Sequence, residues 1–211
     1  MHPDTLAIQA TRFPDANAGA VIAPLYLSTT FERHPDGNLM GEYGYTRADN
    51  PNRRVLETAL AALEGGAVGL AFASGQAATT ALLQTLRPGD HVLAGVDGYW
   101  ATLVLMREVF GAWGIELSTA DLTDPEAVQA AIRPNTRLLW VETPSNPQLH
   151  GADVAALARI AHEAGAVCAV DNTAATPVLQ QPLALGADVV MHSTTKFIGG
   201  HSDLLGGALV L

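Results

Sequence analysis

From about residue 49 onward, short apolar runs alternate with longer segments in which apolar residues recur every three or four positions, the pattern of strands alternating with helices. Seven runs read as strands: Gly69 to Ala73, His91 to Val96, Ile115 to Thr119, Arg137 to Glu142, Val167 to Asp171, Asp188 to His192 and Gly206 to Leu211. Several are apolar throughout, as strands covered by helices on both faces have to be. Between them the spacing predicts helices at Pro51 to Glu64, Gln76 to Leu86, Tyr99 to Trp113, Pro125 to Ile132 and Val154 to Ala164. The first is fully punctuated, with Asn50 to cap it, Pro51 in its first turn and Gly65-Gly66 to stop it. Residues 49–211 therefore read as one α/β domain on a mostly parallel sheet.

Residues 1–48 have no sustained period and mix Gly, Pro, Thr, Asp and Asn, so they read as an extended arm that packs on something else. No repeat or low-complexity segment interrupts the remainder.

Composition narrows the class. With 48% hydrophobic and 15% charged residues the chain can bury a core, which argues against disorder. A formal net charge of −10 without a basic cluster argues against a nucleic-acid partner. No apolar run is long enough to cross a bilayer and no leader pattern is visible, so a cytoplasmic protein without a membrane partner is expected. The single cysteine, Cys168, sits in an apolar run and reads as a small core residue. His192 and His201 flank a lysine loop but pair with no carboxylate at helical spacing, so no metal site is expected.

In open α/β sheets ligands gather beyond the carboxyl ends of the strands, and four such ends are rich in polar groups. Ser74-Gly75-Gln76 opens a helix whose free amides suit an anion, although a simple cap and tight turn would look the same. It matches no dinucleotide or P-loop fingerprint, which leaves a nicotinamide-binding domain a distant rival. Asp171 follows a buried run, as a turn carboxylate or as the partner of a ring nitrogen. Ser193-Thr194-Thr195-Lys196 sets three hydroxyls beside the only lysine of the chain, a pattern able to hold a phosphate and present an amine to an aldehyde. Asn146 lies between two prolines, in a stiff turn or as an amide aimed at a substrate.

Taken together, Tyr45-Thr46-Arg47, Ser74-Gly75-Gln76, Glu142-Thr143-Pro144-Ser145-Asn146-Pro147, Val170-Asp171-Asn172-Thr173, His192-Ser193-Thr194-Thr195-Lys196 and Gly200-His201-Ser202-Asp203 resemble the pyridoxal-phosphate (PLP) enzymes of Cys/Met metabolism, in register from about Ala23 onward. The resemblance implies a fold-type-I PLP-dependent transferase large domain, with the last strand antiparallel beside the first. It implies Lys196 as the lysine that binds the cofactor covalently and moves protons at Cα, and Asp171 as the partner of the pyridine nitrogen. Ser74, Gly75, Gln76, Ser193 and Thr195 would lie at the phosphate, Tyr99 would stack on the ring and act as acid or base, and Asn146 would help to hold the substrate. Tyr45 and Arg47 would reach the phosphate of a neighbouring subunit, in a homodimer or homotetramer.

The implied chemistry is β- or γ-elimination, or γ-replacement, on an amino acid of the cystathionine or O-acylhomoserine type, with a cystathionine γ-synthase-like transferase favoured. A cystathionine β- or γ-lyase is the alternative, and Ala101 in place of the usual cysteine argues against methionine γ-lyase. Relatives continue into a C-terminal domain carrying the arginine that grips the substrate carboxylate. A chain ending at Leu211 is accordingly expected to be truncated, split or fragmentary, and a PLP-binding remnant with little catalysis is the rival from another class.

Overall fold

The computed structural model describes residues 2–12 and 18–211. Among them, seven strands form one sheet in the order β1-β7-β6-β5-β4-β2-β3. They are β1 (Gly69–Phe72), β2 (His91–Gly95), β3 (Glu116–Ala120), β4 (Thr136–Glu142), β5 (Val167–Asp171), β6 (Val189–His192) and β7 (Gly207–Val210). Only β7 runs against its neighbours, pairing Gly69 with Val210 on one side and His192 with Ala208 on the other. Since β7 opposes both β1 and β6, β1 points the same way as the parallel strands, and six strands deliver their carboxyl ends to one edge.

Strand periodicity divides the core. On β2 and β4, Val92, Ala94, Leu138 and Trp140 face a layer containing Ala78, Leu83, Met106 and Phe110. The alternate residues Leu93, Leu139 and Val141 face Val128, Leu157 and Ile160, together with Cys168 and Val170 of β5. Cys168 is fully buried and burial pushes its thiol up to about 12, so it packs and does not react.

The helices are set by local chemistry. In α2 (Pro51–Glu64), Asn50 caps the start by accepting the Asn52 N–H at 2.9 Å, and Gly65 ends it in a left-handed conformation with φ 73°. Helix α3 (Gly75–Leu83) stops three residues before the predicted Leu86, where tighter bonds such as Leu86 N–H to Leu83 O take over. The segment predicted as one helix from Tyr99 to Trp113 is α4 (Trp100–Val104) followed by a π-helical turn over Leu105–Phe110. Asp124 and Asp153 cap α5 (Pro125–Ala131) and α6 (Val154–Glu163). Two short pieces were not anticipated, α7 (Thr176–Leu179) and a 3-10 turn at Pro182–Leu185. Within the first 48 residues, Pro3–Gln9 form a short helix, α1, and the rest of the described stretch makes only isolated bridges, such as Thr30 with Tyr45. No helix of the described residues is long and apolar enough to cross a membrane.

Candidate active site

Ser74 leads from β1 into α3 and caps it, its Oγ accepting the Ala77 N–H at 3.1 Å. The amides of Gly75 and Gln76, at the start of the helix, have no carbonyl a turn earlier to reach and point outward at the positive end of the dipole. Gly75 is required by what lies beside it: a Cβ there would sit 2.8 Å from the Cβ of Ser193 and 3.1 Å from its hydroxyl oxygen. The helix start and the Ser193 hydroxyl thus converge. Beneath them, a Cβ on Gly207 would stand 2.1 Å from the Ser74 carbonyl oxygen, so β7 carries glycine where it supports the turn. The Gln76 side chain is tied away from this cradle by a 3.0 Å bond to the Thr102 hydroxyl, leaving its backbone amide as the donor.

Thr195 is also committed elsewhere. Its hydroxyl donates to Gly206 O at 3.1 Å and accepts Gly206 N–H at 3.0 Å, which pins the lysine loop to the start of β7. Lys196 is exposed one residue further on.

Asp171 ends β5 and is buried, accepting the Thr173 N–H at 3.0 Å. Burial raises its pKa, with the Thr173 hydrogen bonds and the nearby His192 acting in the opposite sense. A buried carboxylate in this position is suited to a cationic ring nitrogen. With the anion cradle and with Lys196 three residues beyond Ser193 in the same loop, the donor set fits pyridoxal phosphate: amides and a hydroxyl for the phosphate, an amine for the aldehyde, a carboxylate for the ring.

Tyr99 is half-exposed at the start of α4, beyond β2, and Asn146 is exposed in the loop beyond β4. Both backbones are held by Glu142, the last residue of β4. Its Oε2 accepts the Tyr99 N–H at 2.6 Å and its Oε1 accepts the Asn146 N–H at 2.9 Å. Burial first, then the charges of Asp171 and Asp97, push the Glu142 carboxyl up to about 7. Sequence reasoning gave Glu142 no role. The available signal was a carboxylate closing the apolar run Leu138 to Val141.

A second buried network lies behind the site. Glu64 Oε1 is 2.5 Å from His192 Nε2 and accepts from Asn172 Nδ2 at 2.8 Å. The Gln180 amide donates to Asn172 Oδ1 at 2.9 Å and to Thr143 O at 3.1 Å. The ends of α2, β4, β5 and β6 are locked together in this way.

Tyr45 and Arg47 stand apart from these groups. The Arg47 guanidinium lies 5.2 Å from the Tyr45 ring centroid, and Tyr45 bridges to Thr30. Among the described residues neither forms a hydrogen bond or ion pair with the cradle, Asp171 or Lys196. No group of three or more His, Cys, Asp or Glu among the described residues is placed to hold a metal ion.

Comparison with known proteins agrees with this geometry. The family model described as Cys/Met metabolism PLP-dependent enzyme matches residues 4–211. The chain is 53% identical over 209 residues to a cystathionine gamma-synthase of Mycobacterium bovis, covering 99% of this chain and 54% of that protein. It is 44% identical over 211 residues to a cystathionine beta-lyase of Coxiella burnetii, covering 100% of this chain and 54% of the relative. The crystal structure of metB from Corynebacterium glutamicum superposes with a TM-score of 0.96 at 48% identity, over 100% of this chain and 55% of that one. The chain thus spans about half the length of these relatives.

Proposed function

Because the chain belongs to the Cys/Met metabolism PLP-dependent enzyme family, we propose that it forms the cofactor-binding part of a transsulfuration enzyme acting on a cystathionine or O-acylhomoserine type amino acid. The observation that carries the reading is the convergence, at one sheet edge, of the α3 amides with the Ser193 hydroxyl, the buried Asp171 and the sole lysine, Lys196. When bound, PLP supplies an electron sink for the charge that develops at the substrate Cα.

The chain's own residues divide the rest of the work. The amides of Gly75 and Gln76 and the Ser193 hydroxyl donate to the phosphate, while Ser74 holds the helix start and Thr195 holds the lysine loop. Lys196 would hold the cofactor through its amine and, once the substrate amine has displaced it from the cofactor, would take and return the Cα proton. Asp171 keeps a negative charge against the ring nitrogen, where burial strengthens the interaction. Tyr99 would lie against the cofactor and exchange a proton with the leaving group, and Asn146 would offer its amide to the substrate.

Within this chemistry the γ-replacement of a cystathionine γ-synthase is favoured, supported by 53% identity to a protein of that name against 44% to a named β-lyase. Elimination from cystathionine is the second reading. The two separate in one assay: the chain supplied with PLP is offered O-acylhomoserine with cysteine, and separately cystathionine alone. Faster formation of cystathionine from the first pair supports the synthase, and faster release of an oxo acid from the second supports a lyase. If neither turns over although PLP is bound, the chain acts as a PLP-binding unit without catalysis.

We also propose that Tyr45 and Arg47 serve the phosphate of a neighbouring copy. Leu25 and Leu27 in the same arm are 83% and 89% exposed, apolar surface of the kind a second subunit covers. Arg47→Ala should weaken PLP binding and flatten its dependence on protein concentration. Equal PLP affinity in monomer and oligomer would rule the arrangement out.

A further inference from the structure

Glu142 ends β4 with a buried side chain whose two oxygens serve two different loops. The Tyr99 amide precedes the first turn of α4 and the Asn146 amide lies in a loop, so neither has the ladder or helix carbonyl that usually satisfies a backbone donor. A second link joins the same loops. Asp97 Oδ2 accepts the Ser145 hydroxyl at 2.6 Å and lies 2.9 Å from His150 Nδ1, while the His150 backbone N–H donates to Ser145 Oγ at 3.1 Å.

We propose that Glu142 is a positioning residue, one carboxylate that holds the backbones of Tyr99 and Asn146 and so fixes the phenol and the side-chain amide relative to each other. The inference rests on the reading that Tyr99 and Asn146 face the substrate. Hydrogen bonds to an ionised acceptor are about twice as strong as neutral ones, and a misplacement of about 1 Å in a catalytic group can cost roughly a hundredfold in rate. A strand-end carboxylate that only met water would be exposed, and one that only filled space would not need both oxygens bonded.

The titratable groups facing Glu142 are Asp171 on β5 and Asp97 beyond β2, with His150 on the far side of Asp97. Both carboxylates favour its neutral form, as burial does, so Glu142 ionises near neutrality and the clamp tightens as pH rises through that range.

The test is a pH titration of the ¹⁵N-labelled chain, following the Tyr99 and Asn146 amide resonances with and without PLP. The expected result is that both amides move with one shared midpoint near 7, and that Glu142→Gln abolishes that movement in both. In Glu142→Gln one oxygen becomes a donor, so hydrogen exchange at one of the two amides should accelerate by about tenfold, the factor that roughly 1.4 kcal/mol represents. The wild-type titration stands without the variant should the variant fail to fold. Separate midpoints, or no titration of either amide, would overturn the clamp whatever PLP does. A shared midpoint with no response of either amide to PLP would leave the clamp standing and instead remove Tyr99 and Asn146 from the site.

Discussion

Glu64, at the end of α2, and His192, at the end of β6, meet with Oε1 and Nε2 2.5 Å apart although 128 positions separate them. Both side chains are closed to solvent. Removing one partner of such a pair strands the other, and Glu64→Ala also takes the acceptor from Asn172. Glu64→Ala should cost about 3 to 5 kcal/mol in urea unfolding, and Glu64→Gln, which keeps an oxygen, should cost less. A loss below about 1 kcal/mol for Glu64→Ala would mean that the pair does not tie α2 to the sheet.

Lys196 is exposed and is the only lysine, so its roles in folding and in chemistry separate cleanly. Lys196→Ala should leave stability within about 0.5 kcal/mol of the parent. It should also abolish the borohydride-fixed cofactor absorbance of the parent. Persistence of that absorbance in the variant would place the attachment elsewhere.

Gly75→Ala puts a methyl group 2.8 Å from the Ser193 Cβ. Overpacking at such a contact costs about 1 to 3 kcal/mol, and pushing Ser193 off the helix start should weaken PLP binding by at least about tenfold. Titration of PLP by absorbance checks it, and unchanged affinity would show that the cradle is not where the phosphate sits.

Asp171→Asn sets stability against function. The carboxylate is raised by burial, so its charge opposes folding, and the stability associated with its neutral form is lost as pH rises through its folded pKa. At neutral pH the PLP-free variant should be as stable as the parent or more so. With PLP, its exchange of the substrate Cα proton for solvent deuterium should slow by orders of magnitude. Normal exchange would deny Asp171 its place at the ring nitrogen.

Glu142 gives a sign that can be read by pH alone. Its folded pKa of about 7 lies above the ordinary 4.5, so the native state holds the proton more tightly between those values. Its contribution is fully present below pH 4.5 and disappears as pH rises through 7, an effect of about 3 kcal/mol. Glu142→Gln should flatten that slope in urea unfolding across the same range. An equal slope in the variant would assign it to other groups.

Much of this was legible along the chain because it is local. Apolar runs located the seven strands, Asn50 and Gly65 bounded α2, and the polar residues after each run marked the edge where the candidate site lies. The antiparallel place of β7 beside β1 came from family resemblance, since no short-range pattern encodes a partner more than a hundred residues away, and its pairing with β6 emerged only in the fold. Thr195 read as a phosphate ligand from its spacing, yet its hydroxyl serves Gly206, a contact fixed by loop closure. Glu64 and Glu142 escaped notice for the same reason: each is an ordinary acid at the end of an ordinary element until the fold brings its partners to it. The helical pieces at Thr176 and Pro182 were too short to show a period.

The insertion of β7 also sets a timetable for synthesis. The parallel strands β2 to β6 can associate as they emerge from the ribosome, but β1, made first, has no place in the sheet until residues 207–210 arrive to receive it. Gly207 is the residue that backs the turn at Ser74. A nascent chain halted before β7 would therefore carry Asp171 and Lys196 while the turn from β1 into α3 still lacked the strand that seats it beside Ser193.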